Sequence, residues 1–192
     1  MGTRVVRGGR HRLGALVSEP VTIPPARPDA LWDIVFLDRD GTLNERVVGG
    51  YVDDPERVVL LPGAAGAVAR LNAAGLPVVV VTNQRGLATG RLSEEQYAAV
   101  TARIADLLAA RGAWIDATFV CRHDHGQCDC RKPADGLFRQ ALAAAPWADP
   151  ARCVMVGDMP GDVAPARGLG ITAYQLGTDV PDLAATVERI LR

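Results

Sequence analysis

Lysine occurs once in this chain of 192 residues, at Lys132, although the basic residues number 21 and arginine supplies all the others. A side chain used once, and placed in the densest cluster of polar residues, is a candidate for a specific task. Charge of one sign is also lacking: 21 basic residues stand against 22 acidic ones, a net charge of -1. That balance excludes a nucleic-acid binder held by a general positive field. No apolar run approaches the roughly 20 residues of a membrane-spanning helix, and Leu13 to Val17 is too short for the core of a secretory signal. The expectation is a soluble, cytoplasmic protein without membrane or nucleic-acid partners, monomeric sooner than oligomeric. Internal repeats are absent, and low complexity is confined to alanine-rich helical stretches. A domain of this length buries roughly 70% of its unfolded surface and needs no disulfide framework, which leaves the 4 cysteines for another purpose.

The chain divides into residues 1–30 and residues 31–192. Arg4, Arg7, Arg10, Arg12 and Arg27 are spread among glycines and Pro20, Pro24, Pro25 and Pro28, with no acidic residue before Glu19. This composition reads as a loosely docked N-terminal extension. Serine is scarce there, which weighs against an organelle-targeting peptide. From Leu31 onward, short apolar runs alternate with helical patterns. The runs are Ile34–Asp38, Pro77–Thr82, Ala117–Cys121, Cys153–Gly157 and Ile171–Leu176. Helices are expected at Ala64–Ala74, Glu94–Arg111, Gly136–Ala145, Asp162–Leu169 and Pro181–Leu191; Ser93 and Gln96 have capping-box spacing before the second. The alternation predicts an α/β three-layer sandwich: a parallel, Rossmann-like sheet of about five strands with helices on both faces and little or no cap domain. Ligands of such sheets bind beyond the carboxyl ends of the strands.

Those ends carry the polar chemistry. In Asp38-Arg39-Asp40-Gly41-Thr42, residues two apart along an extended strand point the same way, so Asp38 and Asp40 present two carboxylates to one place. Such a pair suits a divalent cation, or a division between nucleophile and acid/base; a polar Asp-Gly turn is the plain alternative. Val81-Thr82-Asn83-Gln84 offers a hydroxyl and backbone N–H groups for phosphate oxygens. Gly157-Asp158-Met159-Pro160-Gly161-Asp162 adds Asp158, a metal-ligand candidate, and Asp162, which serves either as a helix N-cap or chemically. Arg131-Lys132-Pro133 brings positive charge to the same rim. Carboxylates, an ammonium and a hydroxyl together suit phosphoryl transfer with Mg²⁺.

Asp38-x-Asp40-Gly-Thr, Thr82, Lys132 and Gly157-Asp158-x-x-x-Asp162, in this order, resemble the four motifs of the haloacid dehalogenase superfamily of phosphatases, over about Ile34 to Ile171. The resemblance implies that Asp38 attacks phosphorus to form an aspartyl-phosphate. It implies that Asp40 protonates the leaving oxygen and then activates water. It has Thr82 and Lys132 hold the phosphoryl oxygens. Mg²⁺ is implied on a carboxylate oxygen of Asp38, the carbonyl of Asp40 and a carboxylate oxygen of Asp158, with Asp162 behind them.

Three thiols and two imidazoles lie within Cys121-Arg122-His123-Asp124-His125-Gly126-Gln127-Cys128-Asp129-Cys130. Cys₃His is a tetrahedral zinc set, so Cys121, His123, Cys128 and Cys130 are the expected ligands of a structural Zn²⁺, with His125 the alternative to His123. A closed site of this kind folds the loop at 121–130 and holds Arg131 and Lys132 in place. Cys153, inside an apolar strand, reads as a packing residue.

A C-x-H, C-x-C site directly before Arg-Lys-Pro is similar to two phosphatase families of that superfamily, the heptose 1,7-bisphosphate phosphatases and the histidinol-phosphate phosphatases. Gly50-Tyr51-Val52 and Gly90-Arg91 lean to the heptose enzymes, whereas the short loop between His123 and Cys128 is more like the histidinol-phosphate type. The resemblance predicts an Mg²⁺-dependent phosphoric monoester hydrolase that removes the C7 phosphate of D-glycero-D-manno-heptose 1,7-bisphosphate in nucleotide-activated heptose synthesis. Histidinol phosphate is the rival substrate, and a non-catalytic zinc-stabilised binding protein is the rival from another class. Asn83 and Arg131 are further substrate-binding candidates. A second phosphate would be met by Arg131, with Arg122 or Arg85, whereas the ammonium of histidinol phosphate would need Glu45, Asp124 or Asp129.

Overall fold

The computed structural model describes residues 21–192. Five strands form one sheet: β1 (Ile34–Leu37), β2 (Val78–Asn83), β3 (Ala117–Cys121), β4 (Cys153–Gly157) and β5 (Thr172–Gln175). Their order is β3-β2-β1-β4-β5, and all neighbours are parallel. The helices are α1 (Ala64–Ala73), α2 (Glu94–Ala109), α3 (Gly136–Ala144), α4 (Pro160–Gly168) and α5 (Leu183–Ile190). No inserted domain separates these elements among the described residues.

Both faces of the sheet are covered, which is why β1 reads Ile-Val-Phe-Leu without alternation and every residue of it is buried. Val35, Leu37, Val78 and Val80 pack with Val68 and Leu71 of α1, Val100 and Ile104 of α2, and Val187 of α5. Ile34, Phe36, Val79 and Val81 face the other way, onto Leu137 and Phe138 of α3 and Val163 and Ala166 of α4. Phe36 and Phe138 meet edge to face at 5.4 Å.

Element ends follow the caps. The Ser93–Gln96 capping box starts α2 as its spacing predicts, but the helix closes at Ala109, not Arg111. Helix α5 begins two residues after Pro181, because the Asp182 side chain accepts from Ala185 N at 2.8 Å. Helix α4 starts at Pro160, a residue favoured at the first helical position, so Asp162 is not the N-cap.

Of the expected extension, residues 1–20 lie outside the described residues; in residues 21–30 most side chains are exposed, but Ile23 and Arg27 contact the domain. Ile23 is 4% exposed in the α3–α4 core. Arg27 N donates to Gly75 O at 3.1 Å, and its side chain lies where a Cβ on Gly75 would fall, 2.3 Å from Arg27 Cγ. Gly75 has φ +74°, so a side chain there would be strained as well as blocked.

This topology positions the site. Leu37 pairs with Val80 of β2 and Val156 of β4, so Asp38 and Asp158, just past their strands, and Thr82, near the end of β2, gather at the carboxyl edge of the sheet, where the connections diverge to opposite sides of β1.

Candidate active site and metal centre

Asp38 follows the last residue of β1 and is 7% exposed. Lys132 comes up from the loop before α3; its Nζ donates to Asp38 Oδ1 at 2.6 Å and Val81 O at 2.7 Å, and lies 2.6 Å from Asp162 Oδ1. Burial raises the Asp38 carboxyl to about 7, with Asp162 and Asp40 adding to the rise and Lys132 opposing it. Burial works against the Lys132 ammonium too, but Asp38 and Asp162 outweigh it and raise its pKa. Lys132 therefore stays charged, holding one oxygen of Asp38 and leaving the other for reaction.

Asp162 has both oxygens committed. Oδ1 faces Lys132 and Oδ2 accepts from Met159 N at 3.0 Å, so the carboxylate bonds back to the N-cap residue of α4 and anchors the ammonium as well. Asn83 lines the cleft, yet its amide is used on protein: Nδ2 donates to Lys132 O at 2.9 Å and Oδ1 accepts from Lys132 N at 3.1 Å. Through these two bonds the Asn83 side chain fixes the Lys132 backbone at the edge of the cleft it lines.

Asp40 is gripped by three side chains. Arg39 reaches Oδ2 with Nε at 3.0 Å and Nη2 at 2.9 Å; Gln84 Nε2 donates to Oδ2 at 2.8 Å and Asn44 Nδ2 to Oδ1 at 2.9 Å. Gln84 also donates to Thr82 Oγ1 at 3.1 Å. Gly41, at φ +96°, turns the chain directly under Asp158: a Cβ there would sit 2.4 Å from Asp158 Oδ2.

Asp38, Asp40, Thr82, Asn83, Lys132, Asp158, Met159, Gly161 and Asp162 line a cleft of about 260 Å³. Carboxylate oxygens of Asp38, Asp158 and Asp162 lie within 4.8 Å of one another. Asp158 Oδ1 is buried without a hydrogen-bond partner, and burial, then the Asp162 charge, raises its pKa. Arg46 Nη1 contacts its other oxygen at 3.0 Å. Oxygen donors with excess negative charge and an unpartnered buried oxygen fit a hard divalent cation. Since Asp162 is committed elsewhere, Asp38 and Asp158 are the carboxylates open to it.

At the end of β3, Cys121, His123, Cys128 and Cys130 bring their ligand atoms within 4.8 Å of one another. Cys121 and Cys128 sulfurs are 3.6 Å apart, Cys128 and Cys130 3.2 Å, and His123 Nδ1 lies 3.3 Å from Cys130 Sγ. His125, the alternative ligand, is not in the group. Burial and the neighbouring thiols push Cys130 up to about 12. For Cys128, desolvation is overcome by hydrogen bonds from Cys130 and the Arg131 backbone, which bring it down to about 7. Crowded thiols competing for protons in this way suit a soft cation that replaces them. Cys153 is fully buried in the core, as its strand context predicts.

A profile of haloacid dehalogenase-like hydrolases matches residues 41–170. The chain is a haloacid dehalogenase-like hydrolase. Among curated relatives, it is 39% identical over 140 residues to the D-glycero-alpha-D-manno-heptose-1,7-bisphosphate 7-phosphatase of Mycobacterium tuberculosis, covering 72% of this chain and 74% of that one. It is 38% identical over 144 residues to the beta-heptose counterpart of Pasteurella multocida, covering 71% and 77%. The D,D-heptose 1,7-bisphosphate phosphatase of B. bronchiseptica, solved with magnesium and phosphate, superposes with a TM-score of 0.76 at 32% identity, over 82% of this chain and 97% of that one.

Within this haloacid dehalogenase-like hydrolase, the Cys/His group and the cleft are joined through Arg131 and Lys132. Arg131 is outside the cleft lining, and its Nη1 is buried without a partner. Arg85 pairs with Asp124, a candidate for the phosphate with one for the ammonium, and Arg122 pairs with Glu94. Arg39, Asn44 and Gln84 had no assigned role at the level of sequence. Their neighbours in the motifs were visible, but their convergence on Asp40 was not. No described helix is long and apolar enough to cross a membrane.

Proposed function

We propose that this hydrolase is an Mg²⁺-dependent phosphatase that removes the C7 phosphate of D-glycero-D-manno-heptose 1,7-bisphosphate, in the cytoplasm and within nucleotide-activated heptose synthesis, with residues 31–192 and the docked segment before them as its catalytic unit. The observation that carries the reading is the Lys132 ammonium held between Asp38 and Asp162, next to the unpartnered oxygen of Asp158 in one cleft. The free oxygen of Asp38 attacks phosphorus, the bond to the C7 oxygen breaks, and Asp40 gives that oxygen its proton. Asp40 then takes a proton from water as the water oxygen attacks phosphorus, and the bond to Asp38 breaks, releasing inorganic phosphate and restoring Asp38 as a carboxylate and Asp40 as the acid. Thr82 and Lys132 hold the phosphoryl oxygens throughout. Mg²⁺, held by Asp38, the carbonyl of Asp40 and Asp158, would screen the anionic phosphate from the attacking carboxylate. Zn²⁺ on Cys121, His123, Cys128 and Cys130 would brace the loop that presents Lys132. Arg131, adjacent in sequence to Lys132, is the group proposed to meet the second phosphate.

A phosphate-release panel of both heptose 1,7-bisphosphate anomers and histidinol phosphate, with and without Mg²⁺, tests this. Preference in kcat/KM for a heptose bisphosphate, dependence on Mg²⁺ and loss of turnover in a folded Asp38→Asn variant are expected. Faster turnover of histidinol phosphate would overturn the substrate, and an active Asp38→Asn the nucleophile.

A further inference from the structure

We propose that Arg39, braced by Tyr97, is the positioning residue that aims Asp40 at the leaving oxygen; this rests on Asp40 being the acid in the reading above. Strand alternation sends Arg39 away from the direction shared by Asp38 and Asp40. Its guanidinium nevertheless returns to grip Asp40 Oδ2 through both Nε and Nη2, a fork that fixes direction as well as distance. Arg39 is 4% exposed, while the Asp40 side chain is 26% exposed, so the grip comes from a buried group onto one at the cleft surface.

The remaining nitrogen, Nη1, is buried without an acceptor. Such a donor is costly unless something else favours the cation. Tyr97 of α2, itself 7% exposed, supplies that: its ring centroid is 5.5 Å from the Arg39 guanidinium carbon. Arg122, next to Cys121, lies 5.3 Å from the same ring and pairs with Glu94. One aromatic side chain thus ties the grip on Asp40 to α2 and to the loop of the Cys/His group. Gln84 and Asn44 also touch Asp40, but only Arg39 holds it with two atoms and a charge. A carboxyl displaced by about 1 Å from its productive place costs on the order of 100-fold.

Leaving-group dependence separates aim from general damage. The C7 alcohol needs a proton to depart, whereas 4-nitrophenolate leaves without one. In a reaction through a covalent intermediate, kcat/KM covers only the steps up to that departure, so the later use of Asp40 does not enter. The comparison is kcat/KM on heptose 1,7-bisphosphate against 4-nitrophenyl phosphate for Arg39→Met, Tyr97→Leu, Tyr97→Phe and Asp40→Asn. Asp40→Asn should lose about 100-fold or more on the alkyl substrate and far less on the aryl one. Arg39→Met and Tyr97→Leu should shift the ratio the same way, by about tenfold, while Tyr97→Phe, which keeps the ring face, retains the native ratio. Tyr97→Leu carries the test alone should Arg39→Met fail to fold. Equal losses on both substrates in these variants, with Asp40→Asn still selective, would overturn the positioning role and spare the acid. Equal losses in Asp40→Asn would remove the acid itself, and the proposal with it.

Discussion

Replacing Lys132 by methionine keeps the unbranched apolar stem and removes the charged head, which leaves Asp38 and Asp162 facing each other in a buried site. In the native protein both carboxylates are 2.6 Å from Nζ, and the Lys132 side chain is 2% exposed. Stranding the partners of a buried ion pair costs about 3–5 kcal/mol. For a domain of this size that corresponds to a fall in Tm of roughly 6–20 °C. The penalty depends on pH in a defined sense. Asp38 already has its carboxyl raised to about 7 by burial, and Lys132 is what holds it down; without Lys132 it rises further. An acid whose folded pKa exceeds the unfolded value of about 3.9 binds a proton more tightly when folded, so stability falls as pH rises across that interval. Native Asp38 has given up its proton above pH 7, and its stability no longer falls on that account; the variant continues to lose it. Over pH units where only the variant keeps the proton, the gap widens by about 1.4 kcal/mol per unit. Lys132 remains charged in the folded protein throughout, since its pKa is raised and its contribution is lost only in strong alkali. Thermal melts of both proteins in chelator at pH 6 and pH 9 measure the gap. A gap that is equal at the two pH values, or absent, would refute the electrostatic account of this triad.

Other expectations follow from the same geometry. Asp162→Asn retains an acceptor for Met159 N but loses the charge on Lys132, so it should fold and yet lose about 10–100-fold in activity, read as kcat beside a melting curve. Cys130→Ser opens the Cys/His group; elemental analysis should give about one zinc per native chain and little in the variant. Ile23→Ala should cost about 2–5 kcal/mol in urea unfolding, because Ile23 is buried against the α3–α4 layer, whereas a loose arm would show no change.

The strands and the carboxylate pair were legible because they depend on short-range regularities. Buried β1 reads as an unbroken apolar run, and Asp38 and Asp40 share a direction through the two-residue period of a strand. Lys132 was visible through its rarity, and the Cys₃His group through its spacing within ten residues. The Asn83 bonds to Lys132 were not legible, because nothing local says that its amide meets a backbone 49 positions away. The contacts of Ile23 and Arg27 were not legible either, because composition does not report that Ile23 has a core to enter or that Gly75 leaves room for Arg27.

By itself, then, the order of residues determined which elements form, which strand ends carry acid, hydroxyl, amine and thiol, and hence the class of chemistry, since these follow from backbone periodicity and from what each functional group can do. Only the tertiary structure decided that Asp162 serves Lys132 and α4 together, that His123 and not His125 joins the thiols, and that Arg39 turns back onto Asp40 under Tyr97. Those outcomes depend on distances between segments far apart in the chain, set by how the helices pack against the two faces of the sheet, and no local pattern encodes them.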